Sequence, residues 1–95
     1  MRKFKVGDKV KCIGEYENNE DIVGLIGIIK DINNVSNSYA VEYERNIIDG
    51  HSCVNNGEDN CVYKRGWWTG EHCLILIKRK PIKQYGIVKF MKGII

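Results

Sequence analysis

Six side chains carry the chemistry that most often marks a site: Cys12, His51, Cys53, Cys61, His72 and Cys73. His51-x-Cys53, Cys61 and the adjacent pair His72-Cys73 could in principle surround a tetrahedral zinc, whose ligands are thiolates and imidazoles. The spacing argues against it. No Cys-x-x-Cys knuckle is present, the step from His51 to Cys53 is tight, and residues 72 and 73 could both ligate only through a special turn. Cys12 and Cys73 instead suit small inward-facing core positions. A catalytic thiol needs a lowered pKa and an oriented imidazole, and the nearness of His51 to Cys53 in sequence supplies neither. No P-loop, dinucleotide fingerprint or His-Glu-x-x-His helix occurs. The expectation is a protein without metal, cofactor or enzymatic activity.

The second chemical signal is aromatic. Both tryptophans stand side by side in Gly66-Trp67-Trp68-Thr69-Gly70, just before Glu71-His72-Cys73 and the apolar run Leu74 to Ile77. Neighbouring side chains on a strand point to opposite faces. One indole can then fill the core while the other meets a partner, a role in which tryptophan is over-represented. The alternative is that both rings are core.

The elements that must position these groups follow from periodicity. Val10 and Cys12 alternate with Lys9 and Lys11 after the Val6-Gly7-Asp8 turn, which predicts a half-buried strand. Glu15 to Asp21 is polar and acidic, a loop. Ile22 to Ile32 reads as a β-branched strand interrupted by Gly24 and Gly27, where a bulge, a bend or a close backbone approach is expected. Asn33 to Asn37 is a turn. In the strand from Ser38 to Glu44, Tyr39, Val41 and Tyr43 share one face while Ala40, Glu42 and Glu44 share the other. Residues 45–65 form a long irregular excursion, a kind of connection that is usually functional or mobile. Cys53 and Cys61 could close part of it as a disulfide under oxidation. Gly70-Glu71-His72 suits one 3₁₀ turn, and Leu74 to Ile77 closes the sheet. The tail after Pro81 is open to either a strand or a short helix.

Ninety-five residues, 43% of them apolar, make one domain with an adequate core. No apolar run reaches the ~20 residues that span a bilayer. The basic start Met1 to Lys5 leads into no apolar stretch, so no signal peptide is expected. The expected location is cytoplasmic, without membrane contact, where cysteines stay reduced. The net charge of +3 is unevenly spread: +4 over residues 1–11, −7 over 12–77 and +6 over 78–95. First and last strands of a small barrel are commonly neighbours, so the two basic ends could merge into one patch. Equally, these lysines could simply keep the ends solvated.

Val6-Gly7-Asp8-Lys9-Val10 followed by Gly24-Leu25-Ile26-Gly27-Ile28-Ile29 resembles the opening hairpin of SH3-like barrels, including the KOW-type subgroup. The stretch from Asp49-Gly50-His51-Ser52-Cys53 through Gly66-Trp67-Trp68 to Leu74 is similar to short SH3-like proteins encoded by phages and Firmicutes. The resemblance covers residues 4–78. It departs from the KOW pattern between Gly14 and Gly24, which is long and acidic where a nucleic-acid binder usually carries bases. The fold class it implies is all-β: an SH3-like five-stranded small barrel over residues 1–80, with a long irregular loop and a C-terminal extension over 81–95.

The functional expectation is a non-enzymatic binding module, a phage or mobile-element accessory protein that binds and inhibits or modulates a host macromolecule such as a bacterial defence system. Trp67, Trp68, His51, Tyr63, Glu17 and Asp21 are the candidate protein-binding residues, since aromatics rimmed by acids suit a basic or proline-containing segment. The partner is then a host or viral protein. The alternative is a nucleic-acid- or nucleotide-binding barrel that contacts phosphates through Lys3, Lys5, Lys78, Arg79, Lys80 and Lys83 and stacks bases on Trp68, Tyr63 or Tyr85. Ile87, Phe90, Ile94 and Ile95 of the tail could also pair with a second copy.

Overall fold

A computed structural model describes residues 3–79. The C-terminal extension, with Lys80, Lys83, Tyr85 and the proposed self-association through the tail, lies outside the described residues. Among the described residues, seven strands occur in chain order: β1 (Lys9–Cys12), β2 (Ile26–Asn33), β3 (Ser38–Tyr43), β4 (Val54–Asn55), β5 (Glu58–Asp59), β6 (Gly66–Gly70) and β7 (Leu74–Lys78). One 3₁₀ turn, Glu71–Cys73, links β6 to β7. The protein is mainly β. Among the described residues, no helix is long and apolar enough to cross a membrane.

Five strands form one antiparallel sheet in the order β6-β3-β2-β1-β7. The first and last described strands, β1 and β7, are therefore neighbours. The sheet does not close among the described residues, because β6 and β7 are its two edges. It is irregular: the register slips between Lys9 and Val10 of β1 and between Ile29 and Asp31 of β2. Such bulges add local bend and twist.

The Gly-Asp start of β1 has a concrete cause. Gly7 adopts φ 96, and the buried Asp8 carboxylate accepts the Lys5 N–H at 2.9 Å while Arg79 Nη1 stands 3.6 Å away. The turn is closed by its own side chain before the strand begins. Val10 and Cys12 then point inward and Lys9 and Lys11 outward, the predicted alternation.

Inward residues from both ends of the chain build the main core around Phe4, Val10, Ile22, Ile29, Tyr39, Val41, Tyr43 and Leu74. Phe4 meets Tyr39 edge-on at 5.3 Å between ring centres, and each such buried ring contributes roughly 2 kcal/mol or more. The Tyr43 hydroxyl is satisfied at 2.8 Å by Thr69. Burial pushes the Tyr43 phenol far above its usual pKa, so it stays neutral.

Two sequence expectations are corrected. The strand predicted from Ile22 begins only at Ile26, because Ile22 to Gly24 turn, with Gly24 at φ 87. Gly27 does lie within β2, where Val41 and the Glu42 backbone come close enough to exclude a side chain. The excursion 45–65 is not irregular throughout, since β4 and β5 pair across Asn56-Gly57, both at positive φ (54 and 78). That is the two-residue Asn-Gly turn whose twist matches a hairpin. The second face of β3 is covered at Ala40, which is buried. The excursion folds back over it, and Ala40, Cys53 and Cys61 form a second small core against Trp68.

Candidate binding groove at the paired tryptophans

Strand β6 sets the two indoles on different supports. Trp67 lies opposite Val41 and packs against the main core, whereas Trp68 lies opposite Ala40 and packs against the second core. Both are half-buried, rather than one enclosed and one free. The Trp67 indole N–H donates to the Tyr16 carbonyl at 3.0 Å. This bond ties the acidic loop to the aromatic pair.

The loop is held by a two-residue turn in which Tyr16 bridges to Asn19 and Glu17 and Asn18 adopt φ 53 and 63. Asparagine tolerates that left-handed region, whereas glutamate occupies it at a cost of roughly 1 kcal/mol. The turn places Glu17 beside Trp67, and the two residues line two adjoining grooves. One, of about 220 Å³, is walled by Glu17, Asn33, Ser36, Ser38, His51, Trp67 and Trp68. The other, of about 340 Å³, runs along Glu17 to Asp21, Ile48, Asp49 and Trp67.

His51 enters the first groove from the excursion. Its backbone forms a bridge with Gly66, donating to the Gly66 carbonyl at 3.0 Å and accepting the Gly66 N–H at 2.8 Å. The imidazole lies 5.1 Å from the Trp67 ring, and its Nδ1 accepts the Cys53 N–H at 3.0 Å. With Nδ1 used as an acceptor, the neutral ring carries its proton on Nε2.

The fold thus brings together Glu17, His51, Trp67 and Trp68 of the six residues predicted for protein binding. Asp21 lines the second groove, but its carboxylate is held by Arg45 at 2.9 and 3.0 Å and by the Ile48 N–H at 2.9 Å. It is a clamp between the acidic loop and the excursion. Tyr63 stands apart, 67% exposed on a turn with the Lys64 ammonium 5.9 Å from its ring centre, and lines neither groove.

The Arg45 hydrogen bonds, and then the Ile48 N–H, hold the Asp21 carboxyl at about 2, below its ordinary 3.8. A lowered folded-state pKa means that the contribution is complete above about 4 and is lost as pH falls through 2. Denaturant midpoints measured between pH 5 and pH 2 should therefore fall more steeply for the native protein than for Asp21→Asn. Equal slopes would show that the clamp adds nothing in solution.

Of the basic candidates, Lys3 and Lys5 are exposed near the start of the chain, and Lys78 lies opposite Lys9 across the β1–β7 ladder. Arg79 is partly committed to Asp8. The sulfur and imidazole groups divide between two places. Cys53, Cys61 and His51 belong to the excursion. Cys12 and Cys73 lie in the main core, where their thiols donate to the Gly14 and Glu15 carbonyls, and His72 packs against Tyr16. Among the described residues, no group of three or more candidate ligands converges on a metal position.

Sequence reasoning missed Tyr16, Ser36, Ser38 and Asn33 as parts of the site. For Tyr16 a signal existed: an aromatic residue alone between Glu15 and Glu17 in a polar loop has to pack somewhere. The serines and Asn33 carry no local signal, since only the β2–β3 turn brings them beside β6. Comparison of the chain with protein-family models, curated proteins and solved structures found no match.

Proposed function

We propose that this protein is a non-enzymatic SH3-like binding module whose groove at Trp67 and Trp68 engages a segment of a host or viral protein. The observation that carries the reading is the convergence of Glu17, His51, Trp67 and Trp68, from three separate parts of the chain, on one groove. Aromatic walls with a carboxylate at the rim favour a segment that offers both an apolar and a cationic group. Glu17 adds a second argument. A glutamate kept at a backbone position better served by glycine or asparagine is a local strain of the kind found at binding sites. The SH3-like part of the reading is supported by the pairing of β1 with β7, which a small barrel requires, and by the short 3₁₀ turn before the last strand. The role as a phage or mobile-element accessory protein acting on a host defence system rests on the sequence resemblance.

The experiment compares Glu17→Gly with Lys64→Gly. Both residues have positive φ (53 and 74), so both substitutions should stabilise the fold slightly, by roughly 0.5 kcal/mol. Only Glu17→Gly should weaken capture of a protein partner from bacterial lysate, on the order of tenfold. If the two variants capture equally well, the groove is not the contact surface.

A second reading keeps one observation in its favour: the ladder sets Lys9 opposite Lys78, near Lys3 and Lys5 in sequence, so the basic ends converge. Nucleic acid recovered in place of protein, with affinity falling steeply with salt and lost in Lys78→Glu, would establish this reading instead.

A further inference from the structure

Cys53 and Cys61 meet beneath Trp68. Both are buried, at 0% and 6% exposure, and they pack together in the second core. Their side chains converge on one bare strand position, because a Cβ built on Gly66 would lie 2.7 Å from Cys61 Cβ and 3.0 Å from Cys53 Sγ. The backbone around them is already clamped. The Ser52 carbonyl accepts the N–H groups of Asn60 and Cys61 at 3.0 and 2.9 Å, and the Asn60 side chain donates to the Cys53 carbonyl at 2.9 Å. Cys12 and Cys73 differ, since their thiols donate to backbone carbonyls.

We propose that Cys53 and Cys61 are a redox dithiol that a small-molecule disulfide oxidises to an intramolecular bridge, locking the floor under Trp68 and the His51 arm of the groove. Bridge formation is independent of the groove's function; its effect on a partner rests on the binding reading above. Cys61, the more exposed of the two residues, reacts first. Its thiolate, after losing a proton to water, attacks one sulfur of oxidised glutathione and expels a glutathione thiolate. The Cys53 thiolate then attacks the Cys61 sulfur of the mixed disulfide and expels the second glutathione thiolate. One S–S bond replaces another, and the two protons released by the cysteines end on two glutathione thiols. The neighbouring Cys61 thiol and burial both hold the Cys53 thiol above its usual pKa. The second step should therefore quicken as pH rises.

The test incubates the full chain with oxidised glutathione at mildly alkaline pH and reads intact mass without reductant, followed by peptide mapping. The expected product has lost two hydrogens, carries no glutathione, and links the peptides of Cys53 and Cys61. Its unfolding midpoint should rise by roughly 10 °C, reversibly on adding dithiothreitol, with altered tryptophan emission. Cys61→Ser should abolish the two-hydrogen loss. Should that variant fail to fold, the peptide map of the native chain decides alone. Stable glutathione adducts, a bridge between any other pair, or no reaction would each overturn the proposal. A bridge that leaves tryptophan emission unchanged would overturn its coupling to the groove. A bridged protein that captures no partner in either redox state would count against the binding reading and leave the dithiol standing.

Discussion

Replacing Gly66 by alanine is expected to destabilise the protein by about 3 kcal/mol, at the upper end of overpacking effects. The added Cβ would stand 2.6 Å from the His51 carbonyl oxygen, 2.7 Å from Cys61 Cβ and 3.0 Å from Cys53 Sγ. The first of these is backbone and already bonded back to the Gly66 N–H, so it cannot swing aside as a side chain would. Relief requires the excursion to lift from β6. The checkable consequence is selective thiol exposure. All four cysteines are buried, and a maleimide should react with Cys53 and Cys61 on the order of tenfold faster in Gly66→Ala, through local opening. Cys12 and Cys73, in the other core, should keep native-like protection. Uniform acceleration at all four would mean that the two cores open together and that the excursion is not a separable unit.

Trp67→Ala should cost a similar amount, about 3 kcal/mol, or roughly 15 °C in unfolding midpoint. Trp67 is only half-buried, which places it at the low end of large aromatic truncations, but three contacts end with it. The main core loses a packed ring, Tyr16 loses the donor to its carbonyl, and the His51 imidazole loses the surface against which it lies. Trp67→Phe separates these effects. It keeps an aromatic ring in the core and drops the hydrogen bond with a smaller loss of packed volume, so its loss should be lower, about 1–2 kcal/mol. In that variant the 16–19 turn should loosen, which hydrogen exchange at the Asn19 amide, bonded to the Tyr16 carbonyl at 3.2 Å, would report. A midpoint unchanged in Trp67→Ala would remove Trp67 from the core and make both indoles surface groups.

The two cores explain why the tryptophans behave alike despite pointing to opposite faces. An open five-stranded sheet buries one face against Phe4, Ile22 and Leu74, while its other face is left for whatever the loops supply. Here the excursion supplies Cys53 and Cys61, and Ala40 is small enough to let them sit against β3. The Asp21–Arg45 pair and the hydrogen bonds from Asn55 and Asn60 to Asp31 Oδ2, at 2.7 and 3.3 Å, fasten the excursion to the acidic loop and to β2. A connection of this length becomes an ordered wall of the groove because polar side chains at both of its ends find fixed partners.

Much of this was legible in the residues. Period-two alternation in Lys9–Cys12, the strand at Ser38–Tyr43, the Asn-rich turn between β2 and β3, the 3₁₀ turn before β7 and the inward Cys12 and Cys73 all follow from local chemistry. Local chemistry suffices wherever neighbours in sequence set which face a side chain takes. The Asn56-Gly57 hairpin leaves only a weak trace in the sequence, because the surrounding strands are only two residues long. What no local pattern could supply was the burial of Ala40 beneath the excursion, the shared groove of Glu17, Ser38, His51 and Trp68, and the meeting of two cysteines over Gly66. Each depends on contacts between residues far apart along the chain, and those are settled by how the excursion and the acidic loop pack across the sheet once its strand order exists.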